Sequence, residues 1–375
     1  MAVFITGSTG YLGSYVVARL LEDHPEARLA LLVRAASPEK AKQRLWHSLQ
    51  LHMGFEQFRD QVLPACELYL GDLTEPELGL DRTAHDRLVK RMESVIHVAA
   101  SLNRKSAKAC FNVNLRGTLS VIKLALQAEQ HHGLRRFTDV STNAVAGIRS
   151  HELVLEDQTI DWDRSDYDPY ARTKKFSEHM IHELLPDVPR TVLRPSTVMG
   201  DSRFPETTQF DMVRAFCFLA QLPVLPFSED WRMDIVPADW VGEAIATIHM
   251  ADQPKHVEYG LCAGTASPTY REIAVAMQAQ GHSWSPRFIP WLNRSFGLTA
   301  EALMSTPRSW GVALGASVMK VFMPYLTHDT VFDNRHTLEE LGEPPTPFLR
   351  YAYDLLRFAV DGDFKYPYLP WPEGG

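Results

Sequence analysis

The chain has 375 residues, of which 45% are hydrophobic and 22% are charged, as is typical of a soluble globular protein with one large or two coupled domains. Its formal net charge of -8 argues against nucleic acid as a partner, because phosphate backbones are bound by clusters of basic side chains. The four cysteines stand far apart, which indicates reduced thiols without a disulfide framework. The sequence shows no leader before the first strand and no apolar run of about 20 residues, so it predicts a cytoplasmic protein.

A glycine-rich turn stands between the first predicted strand and the first predicted helix. The apolar run Ala2 to Ile5 leads into TGSTGYLG, Thr6 to Gly13, and a helical pattern follows from Ser14 to Glu22. The three glycines suit, in chain order, a tight turn, the approach of a pyrophosphate and close packing of helix on strand. The pattern therefore predicts a dinucleotide site. Its predicted contacts are Thr6, Gly7, Thr9, Gly10, Tyr11, Leu12 and Gly13.

Arg34 indicates which dinucleotide the turn would bind. The second predicted strand, Arg28 to Val33, ends directly before it, about 20 residues past the glycine turn. An acidic side chain at this place binds the ribose hydroxyls of NAD, whereas the planar guanidinium of an arginine suits the 2′-phosphate of NADP. The sequence therefore predicts NADP(H). Arg44, in the following helix, is either a second contact to that phosphate or a solvated helix arginine.

Three further strand patterns alternate with helices and predict a Rossmann-type, doubly wound parallel sheet of the α/β class. They run from Cys66 to Leu73, from Ser94 to Ser101 and from Arg135 to Thr142. Asp72 is interpreted either as an acceptor for the adenine amino group or as a turn residue. Asn114 either ties its helix to the active-site strand or caps that helix. The cofactor contacts predicted in this region are Asp72, Leu73, Ala99, Ala100, Ser101 and Asn114.

A hydroxyl pair and a tyrosine and lysine pair carry the predicted chemistry. Ser141 and Thr142 end the fifth strand pattern, and the sequence YARTK places Tyr170 and Lys174 four residues apart on one helix face. An ammonium group beside a phenol stabilises the phenolate, so that Tyr170 can give or take a proton near neutral pH. A hydroxyl of Thr142 or Ser141 would hold the oxygen of a reacting carbonyl group. These four residues are the predicted catalytic group of a dinucleotide-dependent enzyme.

Four motifs together resemble the extended short-chain dehydrogenases/reductases. They are TGSTGYLG, DVSTNAVAG, YARTK and LRPSTVMG, and they reach from the start of the chain to about residue 201. The resemblance implies that Thr142 is the catalytic hydroxyl residue, with Ser141 as its neighbour. Ala146 stands where sugar-nucleotide enzymes of this group often carry an aromatic residue, which disfavours a sugar-nucleotide substrate. By the same resemblance, the residues that lie over the nicotinamide are Pro195, Ser196, Thr197 and Val198.

Within that group the chain is similar to the thioester reductases, which include fatty acyl-CoA reductases and the reductase domains of carboxylic acid reductases and peptide synthetases. One part of the similarity is the insertion 46–63, which precedes the third strand. The other segments that carry the similarity are LLVRAASPEKAKQRL, HVAAS, LRPSTVMGDSRFPETTQFDM and PYLTHDTVFDNRHTLEELG.

This similarity implies hydride transfer from NADPH to the carbonyl carbon of an acyl thioester, with the oxyanion held by Thr142 and Tyr170. Tyr170 would then protonate a hemithioacetal, and Lys174 would bond the nicotinamide ribose. Collapse of the hemithioacetal would release a thiol and an aldehyde, and a second hydride transfer would give an alcohol. The sequence shows no adenylation or carrier segment, so the expected substrate is a thioester of coenzyme A or of a separate acyl carrier protein.

We expect an NADP-binding domain at 1–200, with a return segment at 233–265, and a substrate domain at 201–232 and 266–375. The second domain is rich in apolar side chains, which line either a tunnel for a long acyl chain or an ordinary core. Residues 310–323 fit an amphipathic face at a membrane surface no better than a buried segment. The candidate tunnel residues are Trp284, Phe288, Trp291, Phe296, Met304, Trp310, Val318, Met319, Val321, Phe322 and Met323.

Two other functions stay open. Thr142, Tyr170 and Lys174 would equally serve an extended dehydrogenase or epimerase that acts on a sterol-like alcohol or a sugar nucleotide. The apolar C-terminal region favours the lipid-like substrate among these. A non-enzymatic NADP sensor of the same fold is the minor alternative, because a sensor has no need for a phenol, a lysine and a hydroxyl at these places.

Several histidines and two charged segments complete the sequence interpretation. The histidine pairs at 47 and 52, 131 and 132, and 179 and 182 lack the carboxylates or cysteines that would close a site, so no metal is expected. The basic cluster of Arg104, Lys105 and Lys108 meets a phosphate of coenzyme A or a carrier arm, or else is solvated surface, which is the favoured interpretation. The acidic segment 151–168 is interpreted as a solvated loop or lid near the cleft.

Overall fold

Seven parallel strands form the central sheet of the computed structural model, which describes residues 2–292 and 329–372. Their order across the sheet is β7-β6-β5-β4-β1-β2-β3. This arrangement confirms the predicted doubly wound α/β fold of the Rossmann type. In chain order the strands are β1 (Ala2–Thr6), β2 (Arg28–Val33), β3 (Cys66–Leu70), β4 (Ser94–His97), β5 (Arg136–Val140), β6 (Arg190–Pro195) and β7 (Glu258–Leu261).

Helices cover both faces of the sheet, because strands that are apolar on both sides must be shielded from water. The longer helices are α1 (Tyr11–Asp23), α2 (Pro38–Leu49), α3 (Arg82–Arg91), α4 (Thr118–His132), α5 (Pro169–Leu184), α6 (Asp211–Leu219), α7 (Ala238–Met250), α8 (Tyr270–Ala279), α9 (Arg335–Leu341) and α10 (Ala352–Asp361). Side chains of β1 alternate between two apolar clusters: Val3 and Ile5 pack with α1 and α7, and Phe4 packs with α3 and α4.

Short elements connect these helices and strands. Ala107–Cys110 and the π-helical segment Phe111–Gly117 run directly into α4. The other short helical segments are Phe55–Gln57, Phe58–Val62, Leu63–Ala65, Pro76–Gly79, Asn143–Ala146, Glu156–Gln158, Gly264–Ala266, Pro290–Leu292 and Phe348–Arg350. Two-residue parallel strands pair Thr197–Val198 with Ile235–Val236, Val224–Leu225 with Arg287–Phe288, and Leu153–Val154 with Val331–Phe332. No helix within the described ranges is both long and apolar enough to cross a membrane.

The predicted strands are longer than the observed ones at their carboxyl ends. β3 ends at Leu70 and β4 ends at His97, so the residues that follow them form loops above the sheet edge. The chain leaves the ladder there because small and polar residues replace the apolar pattern. These loops, together with the glycine turn after β1, surround the space where a ligand would lie.

The described tunnel candidates do not line the main cavity. Trp284 is 3% exposed and packs edge-on against Phe216, with 6.1 Å between the ring centroids. Phe288 packs against the same apolar cluster, whereas Trp291 is 79% exposed. Of the two alternatives, packing in an ordinary core therefore describes Trp284 and Phe288, and neither alternative describes Trp291. The other candidates, from Phe296 to Met323, lie outside the described residues, and so does the segment 310–323.

The insertion 46–63 contacts the last described residues of the chain. The side-chain amide of Gln50 donates to the carbonyl of Leu369 at 3.0 Å and accepts from its main-chain nitrogen at 2.7 Å. His47 stacks on Tyr368, with 3.6 Å between the ring centroids. His47 is therefore a packing residue, and the insertion holds the C-terminal segment against α2.

Candidate active site

A cavity of 580 Å³ lies at the carboxyl ends of the strands, where β1 and β4 are neighbours although the chain runs from β1 to β2. Open parallel sheets bind their ligands at such a switch in strand order. The glycine turn and the predicted catalytic hydroxyl and phenol groups face this one space. The predicted site residues that line it are Gly7, Thr9, Gly10, Tyr11, Leu12, Gly13, Arg34, Arg44, Asp72, Leu73, Ala99, Ala100, Ser141, Thr142, Tyr170, Pro195, Ser196, Thr197 and Val198.

The turn after β1 leaves room that only glycine allows. Gly7 has a φ of 78°, and a Cβ on it would stand 2.6 Å from the main-chain nitrogen of Ala99. A Cβ on Gly13 would stand 2.0 Å from the carbonyl oxygen of Gly7, so α1 packs directly on the turn. Gly10 precedes α1 and provides no side-chain cap for the first amides of that helix. The turn and the helix start together fit a pyrophosphate group.

Two arginines lie at the edge of the cavity beyond β2, on the side of β1 away from Tyr170. Arg44 donates to the carbonyl oxygen of Arg34 at 2.8 Å. The guanidinium of Arg34 is 71% exposed and lies 3.5 Å from Asp72. Burial and the neighbouring charge of Arg34 lower the pKa of Arg44, as is expected where two cations share a site. Two guanidinium groups and one carboxylate thus lie together at this edge of the cavity.

Asp72 is held by its own turn. Its Oδ1 accepts hydrogen bonds from the main-chain nitrogen of Thr74 at 2.9 Å and from the Thr74 hydroxyl at 2.8 Å. Its Oδ2 faces Arg34. Asp72 is therefore a turn residue in its contacts within the chain. It also lines the cavity, as the interpretation as an adenine contact requires.

Four predicted site residues are not among those that line the cavity: Thr6, Ser101, Asn114 and Lys174. Asn114 makes the most side-chain hydrogen bonds of the four. Its Oδ1 accepts from the main-chain nitrogen of Ser101 at 2.6 Å, and its Nδ2 donates to the hydroxyl of Thr173 at 3.1 Å. Asn114 therefore ties the loop after β4 to α5. Thr6 contacts the ring of His97 at 2.6 Å beneath the glycine turn. Lys174 is the fourth of these residues.

The two hydroxyl groups at the end of β5 have different partners. Ser141 is 5% exposed, and its Oγ donates to Oε1 of the buried Glu178. Thr142 lines the cavity, and its Oγ1 accepts from the main-chain nitrogen of Ala144 at 3.2 Å. Ser141 thus uses its proton to bond Glu178, whereas Thr142 uses its oxygen as an acceptor. Among the described contacts, the Thr142 proton has no acceptor.

Tyr170 and Lys174 lie on α5 as predicted, but the lysine has a partner that the sequence did not indicate. Its Nζ is 3.3 Å from both carboxylate oxygens of Asp139 on β5, and both side chains are buried. Burial raises the pKa of Asp139, and the charge of Lys174 opposes that rise. Burial and the charge of Lys174 lower the pKa of His97 to about 3, so that ring is neutral. The ammonium of Lys174 is thus balanced by one buried carboxylate.

Arg104 is not solvated surface, so that interpretation is wrong for this member of the basic cluster. Its side chain is 18% exposed, and its Nη1 lies 3.2 Å from Asp168, the residue that precedes α5. Its guanidinium carbon is 4.6 Å from the centroid of the Tyr170 ring. The acidic partner draws Arg104 inward, whereas Lys105 and Lys108 are exposed.

The acidic segment 151–168 is largely an irregular loop beside the cavity with many exposed residues, as interpreted, but Glu156 within it is buried. Glu156 is 3% exposed. Its two carboxylate oxygens accept from the main-chain nitrogens of Gly260 at 2.6 Å and His336 at 2.7 Å. Burial raises the pKa of Glu156, and these two amides oppose that rise. The Glu156 carboxylate can be buried because the two main-chain N–H donors replace the hydrogen bonds that it would make with water.

Arg194, which is 2% exposed, joins this segment to the end of β5. It lies 2.8 Å from Glu178 and 2.8 Å from Glu258, and it donates to the carbonyl of Glu156 at 2.7 Å. Glu178 also accepts from Ser141. These five residues, which we call the Arg194 network, are coupled to the wall of the cavity that carries the two hydroxyl groups.

Sequence reasoning missed Asp139, Glu178 and Asp234. Asp139 had a detectable signal, because it is a carboxylate inside a strand that is buried along its whole length. Glu178 follows Lys174 by four residues and shares its helix face. Asp234 lines the cavity and accepts from the main-chain nitrogen of Ala263 at 2.9 Å. Burial raises the pKa of Asp234 to about 6.

Among residues 2–292 and 329–372, no group of three or more His, Cys, Asp and Glu side chains is placed to hold a metal ion. The histidines that the sequence singled out make other contacts. His52 bonds the hydroxyl of Ser14 at 2.9 Å, and His132 bonds the carbonyl of Val89 at 2.9 Å.

The fold and the site together define a nicotinamide-dependent oxidoreductase of the extended short-chain dehydrogenase/reductase type. The chain belongs to the Male sterility protein family, an NAD-binding family whose sequence profile matches residues 5–245. This membership confirms the resemblance found in the sequence. The glycine turn, with its two positions closed to any side chain, fits the dinucleotide that such an enzyme uses.

Known proteins similar to this chain include reductases from fungi and insects. The glycine betaine reductase ATRR of Emericella nidulans is 30% identical over 67% of this chain and 20% of its own length. The putative fatty acyl-CoA reductase CG8303 of Drosophila melanogaster is 26% identical over 54% of this chain and 42% of its own. The chain therefore spans less than half the length of these relatives. The terminal R domain of the myxalamid PKS-NRPS pathway shares the fold, with a TM-score of 0.80 at 22% identity over 97% of this chain and 91% of that domain.

Proposed function

We propose that this protein reduces an acyl thioester, carried on coenzyme A or on an acyl carrier protein, to an aldehyde, with NADPH as the hydride donor. The observation that carries the proposal is the cavity that joins the glycine turn and the arginine pair to Thr142 and Tyr170. Family membership supports the choice of reaction, and the relative named as a fatty acyl-CoA reductase supports the choice of substrate.

Arg34 and Arg44 would bind the 2′-phosphate of the cofactor. Both line the cavity beyond β2, and the carboxylate of Asp72 stands beside Arg34. A dianionic phosphate placed between the two guanidinium groups would relieve their repulsion and accept charge-assisted hydrogen bonds from both. When bound, NADPH supplies the hydride that reduces the carbonyl carbon.

Thr142 and Tyr170 would hold the carbonyl oxygen of the thioester. Both line the cavity, and the free proton of Thr142 and the phenolic proton of Tyr170 are donors suited to an oxygen that gains negative charge. Tyr170 would pass its proton to that oxygen, which gives a hemithioacetal. Breaking of the carbon–sulfur bond would then yield the aldehyde and release the thiol. Ser141 would position β5 through Glu178 and would not touch the substrate.

Lys174 would act from beneath Tyr170. Its ammonium favours negative charge on the phenol oxygen once the proton has left, and it would donate to a ribose hydroxyl of the bound cofactor. Asp139 holds the ammonium at the level of β5, because the two groups are in contact within the closed interior. The pairing with Asp139 thereby keeps the ammonium of Lys174 near the reacting groups while both side chains stay shielded from water.

The test is NADPH oxidation by the purified protein with acyl-CoAs of increasing chain length, with thiol release followed in parallel and NADH as the control donor. One NADPH consumed per thiol means that reduction stops at the aldehyde, and two mean that it continues to the alcohol. If no acyl-CoA is reduced, the same acyl groups on a carrier protein are tried. Failure of both would contradict the proposal and favour a lipid-like alcohol or a sugar nucleotide as substrate.

The matched variants are Tyr170→Phe and Tyr69→Phe. Tyr170→Phe removes the proposed proton donor and should abolish turnover while NADPH binding is retained. Tyr69 lies on β3 and does not line the cavity. Tyr69→Phe, which removes the same hydroxyl group at this other place, should therefore leave turnover unchanged. Turnover that survives Tyr170→Phe would exclude the proposed proton transfer.

A further inference from the structure

Arg104, from the loop after β4, covers the face of Tyr170. Its guanidinium carbon is 4.6 Å from the centroid of the phenol ring. The loop follows β4, whereas Tyr170 lies in the first turn of α5, so the contact joins two elements. A guanidinium group over an aromatic face is attracted by the negative charge of the π system.

Asp168 fixes the guanidinium in this position. One carboxylate oxygen of Asp168 accepts from the main-chain nitrogen of Ala171 at 2.8 Å and caps α5, while the other lies 3.2 Å from Arg104. The side chains of Arg104 and Asp168 are 18% and 13% exposed. The same residue therefore begins the helix that carries Tyr170 and anchors the cation that lies over the ring.

Lys174 and Arg104 are each paired with a carboxylate. Lys174 sits 3.3 Å from both oxygens of Asp139. Arg104 pairs with Asp168, which also accepts from a main-chain amide at the positive start of α5. Arg104 is the cation whose guanidinium lies over the face of the ring.

We propose that Arg104 is a positioning residue that holds the ring of Tyr170 and stabilises the negative charge left on the phenol oxygen after proton transfer. This inference rests on the proposed function for its catalytic consequence. In the step concerned, the O–H bond of Tyr170 breaks, its electron pair stays on the phenol oxygen, and the proton bonds to the oxygen of the former carbonyl. Water restores the proton afterwards.

The deciding experiment measures Tyr170 directly and needs no substrate. The absorbance of tyrosinate is followed during a pH titration, and the curve of Tyr170→Phe is subtracted, which leaves the titration of Tyr170 alone. The same subtraction is made in the Arg104→Met background, which keeps the length of the side chain and removes its charge. We expect the midpoint to rise by about one pH unit, which corresponds to a loss of about tenfold in phenolate stability. Arg104→Gln repeats the loss of charge if the Met variant does not fold.

Two further variants make the result specific. Arg104→Lys keeps a cation near the ring and should restore most of the midpoint shift. Lys108→Met removes an exposed cation of the same segment and should leave the midpoint unchanged. Equal midpoints in the presence and absence of the Arg104 charge would overturn the inference.

Kinetics then separate this inference from the proposed function. With an acyl-CoA that is turned over, Arg104→Met should lower kcat by about tenfold, move the alkaline limb of the kcat/KM profile to higher pH and leave the KM for NADPH unchanged. A rise in the KM for acyl-CoA with an unchanged kcat would instead assign Arg104 to substrate binding and would overturn the inference. If no thioester is turned over, the proposed function fails, and the titration alone still decides the role of Arg104.

Discussion

The ammonium of Lys174 lies 3.3 Å from each carboxylate oxygen of Asp139, and both side chains are buried. The pair holds the ammonium of Lys174, which is on α5, against Asp139 on β5. The same strand leads directly into the two hydroxyl residues, Ser141 and Thr142. Such an ion pair is stable only while both partners are present, because a single buried charge keeps its desolvation cost without compensation.

Asp139→Asn should destabilise the protein by about 3 kcal/mol, since it leaves the ammonium of Lys174 buried and unpaired. The double variant Asp139→Leu with Lys174→Met removes both charges and should be more stable than Asp139→Asn, although it would be inactive. Urea unfolding of the three proteins measures these differences. If the double variant were less stable than the single one, the charge argument would be wrong and simple loss of packing would explain the result.

Arg34→Ser and Arg44→Ser should each raise the KM for NADPH by about ten- to a hundredfold, because each removes a charge-assisted hydrogen bond to the 2′-phosphate. The KM for NADH should change by less than about twofold, since NADH has no such phosphate. Arg28→Ser, at the exposed start of β2, is the control, because its guanidinium bonds only the nearby carbonyls of Glu26 and Ala27 among the described contacts. Equal effects on both cofactors would contradict a phosphate site.

Gly13→Ala should abolish NADPH binding and lower the free energy of unfolding by about 2 kcal/mol. The added methyl group would stand 2.0 Å from the carbonyl oxygen of Gly7, so α1 must move away from the turn. Gly54→Ala is the matched control, since a methyl group added there would meet no atom within 4 Å. Fluorescence titration with NADPH and urea unfolding measure the two effects. Normal binding by Gly13→Ala would show that the turn tolerates this shift.

Thr142→Val and Ser141→Ala should fail in different ways. Thr142→Val keeps the shape of the side chain and removes a donor to the carbonyl oxygen, so kcat should fall by about a hundred- to a thousandfold. The same change leaves the Ala144 amide without its acceptor and should cost about 1 kcal/mol of stability. Ser141→Ala leaves Glu178 without one of its partners and should cost about 1 to 3 kcal/mol of stability, with a smaller loss of kcat. Steady-state kinetics and urea unfolding distinguish them. The reverse pattern would assign the catalytic role to Ser141.

Asp234 should make the protein less stable as the pH rises. Burial raises its pKa from 3.8 to about 6, so the native state binds a proton more tightly than the unfolded state does. The stabilising effect of that proton is complete below the unfolded pKa and is lost as the pH rises through the folded one, a change of about 3 kcal/mol. Asp234→Asn removes this dependence. Unfolding free energies at about pH 4 and about pH 7 should therefore differ less in the variant than in the parent.

The glycine turn could be predicted from the sequence because its geometry depends on backbone space that only glycine provides. The positions of Tyr170 and Lys174 followed from helical spacing, which is also local. The choice between Ser141 and Thr142 could not be derived in the same way, because it depends on Glu178, which is 37 residues away from Ser141 in the chain. The partners of a charged side chain are decided by packing between distant elements.

Two charged loop residues, Arg104 and Glu156, show the same limit. A charged residue in a loop is most often solvated, and the sequence interpretation followed that expectation for both. Asp168 draws Arg104 inward, and the backbone donors of Gly260 and His336 draw Glu156 inward. Such compensation comes from residues remote in sequence, and no local pattern announces it.

Glu156, a member of the Arg194 network, also bears on the order in which the chain folds, because it bonds a residue outside that network. The bond from His336 to Glu156 joins residues 180 positions apart. Closing so long a loop costs entropy that is repaid only when the later segments are in place. The glycine turn needs only β1, α1 and the loop after β4. A chain emerging from the ribosome would therefore complete its nucleotide cradle well before the wall that carries Ser141 and Thr142 became fixed.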